Sequence, residues 1–382
     1  MLVNHLTVGG LRSYGPEPVH VELAPLTLVF GPNSAGKSSL LSVLPILQQT
    51  AAHPHVLTMS GDLVEGGTFR MAIHQHDKTL PMTLGFGWTA PDGSHHSGSG
   101  VFRWDPQRRV AVRTRMNVSD GVTDSYVEGP RPWGGQPGAE LAHALGPEFF
   151  EVLSRIYFLG PMRARPERTT MVGQGAEDYV GPAGEAMVAL LADRPYAVDQ
   201  VNRWCDELGL GYRVRLLAPV SEDIIKSAGD FTVLALEDVR FEPPVLVSSR
   251  AVGYGVGQLL PIITQCVIAD GALVLVEQPE VHLHPRLQSA VGDLFVDTVN
   301  SGRAQILAET HSEHLVLRLL RRVREGVLAP ADLAILYVDM HEDGGAFVRR
   351  LEVGANGDLV DGWPGSFFDE RLAEILPGLA DR

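Results

Sequence analysis

Gly31-Pro32-Asn33-Ser34-Ala35-Gly36-Lys37-Ser38 matches G-x-x-x-x-G-K-[ST] at every fixed position. The chemistry of that spacing is anion capture. Glycines let a loop fold tightly enough for successive backbone N–H groups to point inward. A helix starting at the loop adds the partial positive charge of its N-terminus. Lys37 is expected to reach the terminal phosphates of a nucleotide, and the Ser38 hydroxyl to ligate Mg²⁺. The pattern has meaning only between a strand and a helix, and both are legible. Leu26 to Phe30 is an apolar run that reads as a buried strand, and Ser39, Leu40, Leu41 and Val43 open a helix.

A second group of chemically active residues lies far downstream. Residues 272–276 are continuously apolar and end in Glu277-Gln278-Pro279-Glu280. This is a buried, parallel-type strand with an acid at its carboxyl edge, where phosphate-binding folds hold a metal-associated carboxylate. Residues 304–308 form another apolar strand, followed by Glu309-Thr310-His311-Ser312. Between residues 250 and 258, Gly253, Gly255 and Gly257 read as a turn opening an apolar helix over 259–268, a further anion site of weaker specificity. Arg163, Arg165 and Arg168 form a compact basic loop in an acidic chain. They either contact phosphates, of a nucleotide or of nucleic acid, or form a solvated loop paired with local acids. His282, His284, His311 and His314 can be drawn as a metal cluster, giving a metal-dependent nuclease as the rival reading, but no H-E-x-x-H spacing supports it. Asp339, Glu342 and Asp343 resemble a nuclease-type acidic cluster; too little chain follows for a nuclease domain, and a strand end with a turn is the expectation.

The elements that must position these residues alternate strand and helix, as in a parallel α/β core. Strands are expected at 2–8, 19–23 and 26–30, and the helix after the phosphate loop runs to about residue 49 with a kink at Pro45. Alternation at 80–86, 101–104 and 110–116 predicts an antiparallel meander inserted after that helix. A loop is expected at 128–138, a helix at 139–154 and a strand at 155–159. Two helices broken at Pro195 cover 185–207, with strands at 211–217 and 231–241. Helices to residue 300 and over 313–324, then strands at 333–338 and 346–353, complete the chain. The expected domains are a head over 1–330, with an insertion at about 51–250, and a small cap over 331–382.

Composition excludes several classes. Hydrophobic residues make up 45% and charged residues 20% of 382, which suits a soluble globular protein with ample core. The net charge of −15 argues against a surface broadly coated for DNA. No apolar run is long enough to span a membrane, and the N-terminus has no signal-peptide pattern. Cys205 and Cys266 are far apart and read as buried thiols of a cytoplasmic protein.

The order of phosphate loop, glycine-rich segment, apolar strand with acid and proline, and Thr-His after the next strand resembles the ABC-type ATPases of the RecF/SMC group. EQPEVHLHPRLQ, ETHSEHLVLRLL and DGWPGSFFDE resemble, more narrowly, bacterial AAA-type ATPases that end in a small domain of unknown function. The resemblance implies an α/β fold, a P-loop NTPase of ABC-ATPase-head type with an antiparallel β subdomain and inserted helices. It implies that Gly31 to Ser39, including Asn33, Ser34, Ala35, Gly36 and Ser39, bind ATP, with Mg²⁺ on Ser38 and Glu277. It makes His311 a sensor of the γ-phosphate and places Arg12 near the nucleotide. Gly255, Gly257 and Gln258 would contact the nucleotide of a second copy, so that ATP drives homodimerisation. The resemblance implies a phage-defence or DNA-repair setting, with an effector protein such as a nuclease or toxin as the expected partner. Two departures stand out. The usual catalytic Glu is Gln278, which positions water but accepts no proton, so hydrolysis is expected to be slow, with Glu280 or His311 assisting. The usual signature Ser is Gly255. A non-hydrolysing, ATP-switched regulator is the alternative.

Overall fold

The computed structural model describes residues 2–53, 55–128, 148–165, 169–171, 178–218, 230–342 and 344–364. The chain forms two compact units, one from Met1–Ser154 with Glu309–Arg382, the other from Arg155–Ala308.

In the first unit, period-two alternation builds an antiparallel sheet. Its strands are β1 (Leu2–Gly9), β2 (Val19–Glu22), β4 (Met82–Thr89), β5 (His95–Asp105), β6 (Val110–Ser119) and β7 (Asp124–Glu128), in the order β2-β1-β4-β5-β6-β7. The register sets Leu6 opposite Phe86 and Val8 opposite Leu84. One face therefore carries Leu6, Val8, Leu84, Phe86, Phe102 and Met116, all buried. It packs on Phe149, whose ring stacks 4.8 Å from that of Phe86, and on the helix Val43–Ala51. The meander is thus not a separate insertion. It continues the N-terminal strands, because β4 pairs with β1 on the side away from β2 and its alternating apolar residues match those of β1.

The same unit holds β3 (Leu26–Phe30), buried at every residue. It pairs in parallel with β15 (Leu333–Met340), which pairs antiparallel with β16 (Ala346–Leu351). Residues expected in a C-terminal cap are therefore strands beside the one that leads into the phosphate loop. Asp339 lies near the end of β15 and accepts a hydrogen bond from the Tyr337 hydroxyl at 2.8 Å. Trp363, from the DGWP stretch, sets its ring 6.5 Å from that of Phe30. The helix after the loop is interrupted at Ser42, between Lys37–Leu41 and Val43–Ala51. The physical cause is Pro45, which has no N–H for the Leu41 carbonyl. Helix Glu313–Arg324 is capped by Ser312, whose Oγ accepts from Leu315 N–H at 3.2 Å, and carries Arg321, Arg322 and Arg324 in its last turn.

The second unit contains β8 (Ile156–Leu159), parallel to β13 (Ala272–Glu277), with β14 (Ala304–Glu309) on the other side of β13. A smaller antiparallel sheet joins β10 (Tyr212–Leu217), β11 (Phe231–Asp238) and β12 (Val245–Ser248), and β9 (Thr169–Met171) adds to β11. Strand 155–159, expected inside the insertion, is a core strand. Helices Met187–Asp193 and Pro195–Glu207 meet at the expected proline, which opens the second where no N–H is needed. Residues 129–138 of the loop expected at 128–138, the start of the expected helix at 139–147, Arg168 and residues 365–370 lie outside the described residues, while Glu128 ends β7. No helix among the described residues is long and apolar enough to cross a membrane.

Candidate functional site

The first unit presents the phosphate loop. β3 delivers Gly31 at φ 146°, where a β-carbon would lie 2.0 Å from the Val338 carbonyl oxygen. Only glycine tolerates that approach. Ser34 at φ 64° and Gly36 at φ 113° complete the tight turn. The helix then starts at Lys37 with no side-chain cap on its first N–H groups. Asn33 and Ser34 are exposed, Ser38 is half-buried, and Ala35, Gly36, Lys37 and Ser39 are buried. The Lys37 ammonium is folded inside the loop, donating to the carbonyls of Gly31 at 3.0 Å and Pro32 at 2.6 Å.

Arg12 stands beside this loop. Its turn is held by Arg12 N–H donating to Ala72 at 2.6 Å, and by His74 Nδ1 lying 2.8 Å from the Arg12 carbonyl oxygen. The Ser13 carbonyl accepts from Ala346 N–H at 2.8 Å, and a β-carbon at Gly36 would meet the Tyr14 ring at 3.1 Å. Arg12 is exposed at φ 50°. Tyr14 is fully buried, its hydroxyl has no partner among the described residues, and burial first, then the charge of Glu309, push its pKa up. Tyr14 and Glu309 were not anticipated; an aromatic two residues after Arg12 was the available signal.

His311 follows β14, held by Thr310 N–H donating to the Val29 carbonyl at 2.9 Å. Its pKa is lowered, by desolvation first and then by the charge of Lys37. The ring is therefore neutral at pH 7. The sign follows from linkage: stability from the neutral ring is complete above the unfolded value of about 6.5 and is lost as pH falls through the lower folded value. Wild type should lose melting temperature between pH 7 and 5 more steeply than His311→Asn; parallel curves would contradict this.

The second unit presents the acid strand end. Glu277, Gln278 and Glu280 are all half-buried. Gln278 adopts φ 45° and His282 φ 63°, left-handed conformations that cost about 1–2 kcal/mol for a residue with a β-carbon. Arg163 explains the first. It is 2% exposed, and its Nη2 donates to the carbonyls of Glu277 at 2.6 Å and Gln278 at 3.1 Å. Burial lowers its pKa to about 10, opposed by Glu280 and Glu277, so it stays charged at neutral pH.

Several expectations change here. Arg163 is enclosed, so it presents no surface to nucleic acid, whereas Arg165 is exposed with its guanidinium 4.6 Å above the Tyr254 ring. The glycine-rich segment is a turn only as far as Gly253. Helix Tyr254–Ile268 begins four residues after Arg250, so Gly255 and Gly257 are helical. Gln258 is 2% exposed and spends its amide on Arg163, accepting from its N–H at 3.2 Å and donating to its carbonyl at 2.6 Å. It is not free to meet a second copy's nucleotide. Gly255 has a steric reason, since a β-carbon there would lie 2.7 Å from the His282 carbonyl oxygen. His284 caps helix Pro285–Asn300 and His282 packs edge-on to Tyr254 at 4.9 Å. Among the described residues no group of three or more His, Cys, Asp or Glu side chains is arranged to hold a metal ion.

Residues 148–318 match the family described as "AAA domain, putative AbiEii toxin, Type IV TA system". The match ends before the DGWP stretch. No curated protein matches the sequence. Among solved structures, the chain is similar to an SMC head bound to the C-winged helix domain of ScpA, at 14% identity and a TM-score of 0.54, over 92% of this chain and 99% of that one. The SMC head domain from Thermotoga maritima is 12% identical with a TM-score of 0.48, over 92% and 100% of the two chains. The first of these shows the P-loop fold of an SMC head, and together with the matched stretch it makes the chain similar to the ABC-type, RecF/SMC-like ATPases.

Proposed function

We propose that the chain binds ATP with Mg²⁺, hydrolyses it slowly, and uses the cycle to dimerise and to control a partner protein. The observation that carries this reading is the phosphate loop, with Gly31, Ser34 and Gly36 at positive φ around a buried Lys37. The fold and the family match support ATP binding and an ATPase-type function. Lys37 and the loop from Asn33 to Ser39 hold the phosphates, and Arg12 adds a cation at their side. Ser38 and Glu277 offer hard oxygen donors of the kind Mg²⁺ takes. When bound, Mg²⁺ neutralises charge on the phosphate oxygens. His311, neutral beside Lys37, hydrogen-bonds the terminal phosphate without adding charge. Gln278 orients the attacking water but cannot take its proton, which leaves Glu280 or His311 to assist and makes turnover slow.

The start of helix Tyr254–Ile268, with Gly255 and Gly257, meets the nucleotide of a second copy, so the working state is a homodimer. The cytoplasm, where ATP is supplied, is the location that suits this reading. The partner is an effector, a nuclease or toxin of a defence or repair system; the ScpA domain bound to the related head supports a protein partner, and the toxin–antitoxin system in the family's description supports a defence setting. Gln278 specifically favours a second reading, a switch that binds ATP without hydrolysing it.

Phosphate release and light scattering with Mg-ATP separate these. Slow release by wild type, a rise of about tenfold or more in Gln278→Glu, and a doubled mass with ATP are expected. Fast release by wild type that is lost in Glu280→Ala would overturn the switch, and a monomeric mass with Mg-ATP would overturn the dimer.

A further inference from the structure

Adjacent carbonyls of an extended strand point in opposite directions, yet the carbonyls of Glu277 and Gln278 converge on one nitrogen, Arg163 Nη2. The left-handed φ of Gln278 makes this possible by reversing the chain immediately after β13. The same arginine is gripped through its main chain by Gln258, four residues into helix Tyr254–Ile268. A second contact joins the same two elements, since Gly255 lies so close to the His282 carbonyl that no β-carbon fits between them. The helix start and the turn carrying Gln278 are therefore held as one body, with Arg163 as the link.

We infer that Arg163 is a positioning residue that transmits displacement of the glycine-rich helix to Gln278. The inference rests on the ATPase reading, and it adds a route by which a second copy seated on the helix start sets the rate. The guanidinium suits this role. It stays charged and is planar, and among the described residues its Nε and Nη1 have no hydrogen-bond partner, so its grip is concentrated on the two carbonyls. Glu280 and Glu277 offset its charge from the same turn. Lysine at this position keeps the charge but not the fork. A shift of the helix pulls on Gln258, moves the Arg163 main chain, and changes where the Gln278 amide points. This role differs from phosphate contact, because among the described residues the Arg163 guanidinium donates to main-chain carbonyls.

The test uses the full chain, with hydrogen exchange and steady-state hydrolysis of Mg-ATP side by side. Arg163→Met should raise amide exchange over residues 277–284 at least tenfold and lower kcat about tenfold, with nucleotide affinity within about threefold and residues 26–41 unchanged. Arg163→Lys should recover part of both effects. Gln258→Leu, which leaves the Arg163 side chain intact, should loosen 277–284 in the same direction through the main chain alone. Exchange over 277–284 that stays at the wild-type level in Gln258→Leu would overturn the coupling, as would an unchanged kcat in Arg163→Met. If Arg163→Met does not fold, Arg163→Lys and Gln258→Leu decide the matter. A wild type that hydrolyses no ATP would sink the ATPase reading instead, while the exchange measurements still judge the link.

Discussion

Replacing Lys37 by alanine should abolish ATP binding at micromolar nucleotide while leaving the fold in place. The ammonium is buried within the loop and bonded to two loop carbonyls, at 3.0 and 2.6 Å. It is therefore already confined to the space that phosphates would share with it, and little conformational entropy remains to be lost when it turns to them. Two charge-assisted hydrogen bonds to phosphate oxygens are worth about 3–5 kcal/mol together, which corresponds to a loss of roughly a hundredfold to several thousandfold in affinity. Titration with a fluorescent ATP analogue reads the loss, and circular dichroism reads the fold. Binding within threefold of wild type would remove Lys37 from the site.

Gly31→Ala should be the most damaging single-methyl change near the site. At φ 146° the added carbon would sit 2.0 Å from the Val338 carbonyl oxygen, a backbone atom of β15 that cannot move without disturbing its pairing with β3. Conformational strain of about 1–3 kcal/mol adds to overpacking of about 1–3 kcal/mol. Against a total stability of about 5–15 kcal/mol, that is enough to shift the urea midpoint by about 1 M or more, or to prevent folding. Gly15→Ala is the control, because a β-carbon there meets nothing within 4 Å. Equal midpoints for the two variants would contradict the packing argument.

What the sequence made legible divides along the range of the interactions involved. β3 and the phosphate loop were readable because their signals are local: an apolar run and glycines at fixed spacing. Pro195 marked a helix start for the same reason. The misread features depend on distant partners. Nothing near Leu6 announces that it will face Phe86, and nothing near Leu333 that it will pair with Leu26. Arg163 looked like a solvated or phosphate-binding arginine because its acceptors are the carbonyls of Glu277 and Gln278, more than a hundred residues away. Its position directly after β8, a core strand, was the usable clue. Gly255 looked like the loss of a hydroxyl until the His282 carbonyl supplied a steric reason for glycine.

We propose, then, a nucleotide-binding head with an intact phosphate loop and restrained hydrolysis. Isothermal titration of wild-type protein with Mg-ATP tests it most directly. One nucleotide should bind per chain, with heat that disappears in Lys37→Ala. No binding by wild type, or equal binding by the two proteins, would contradict it.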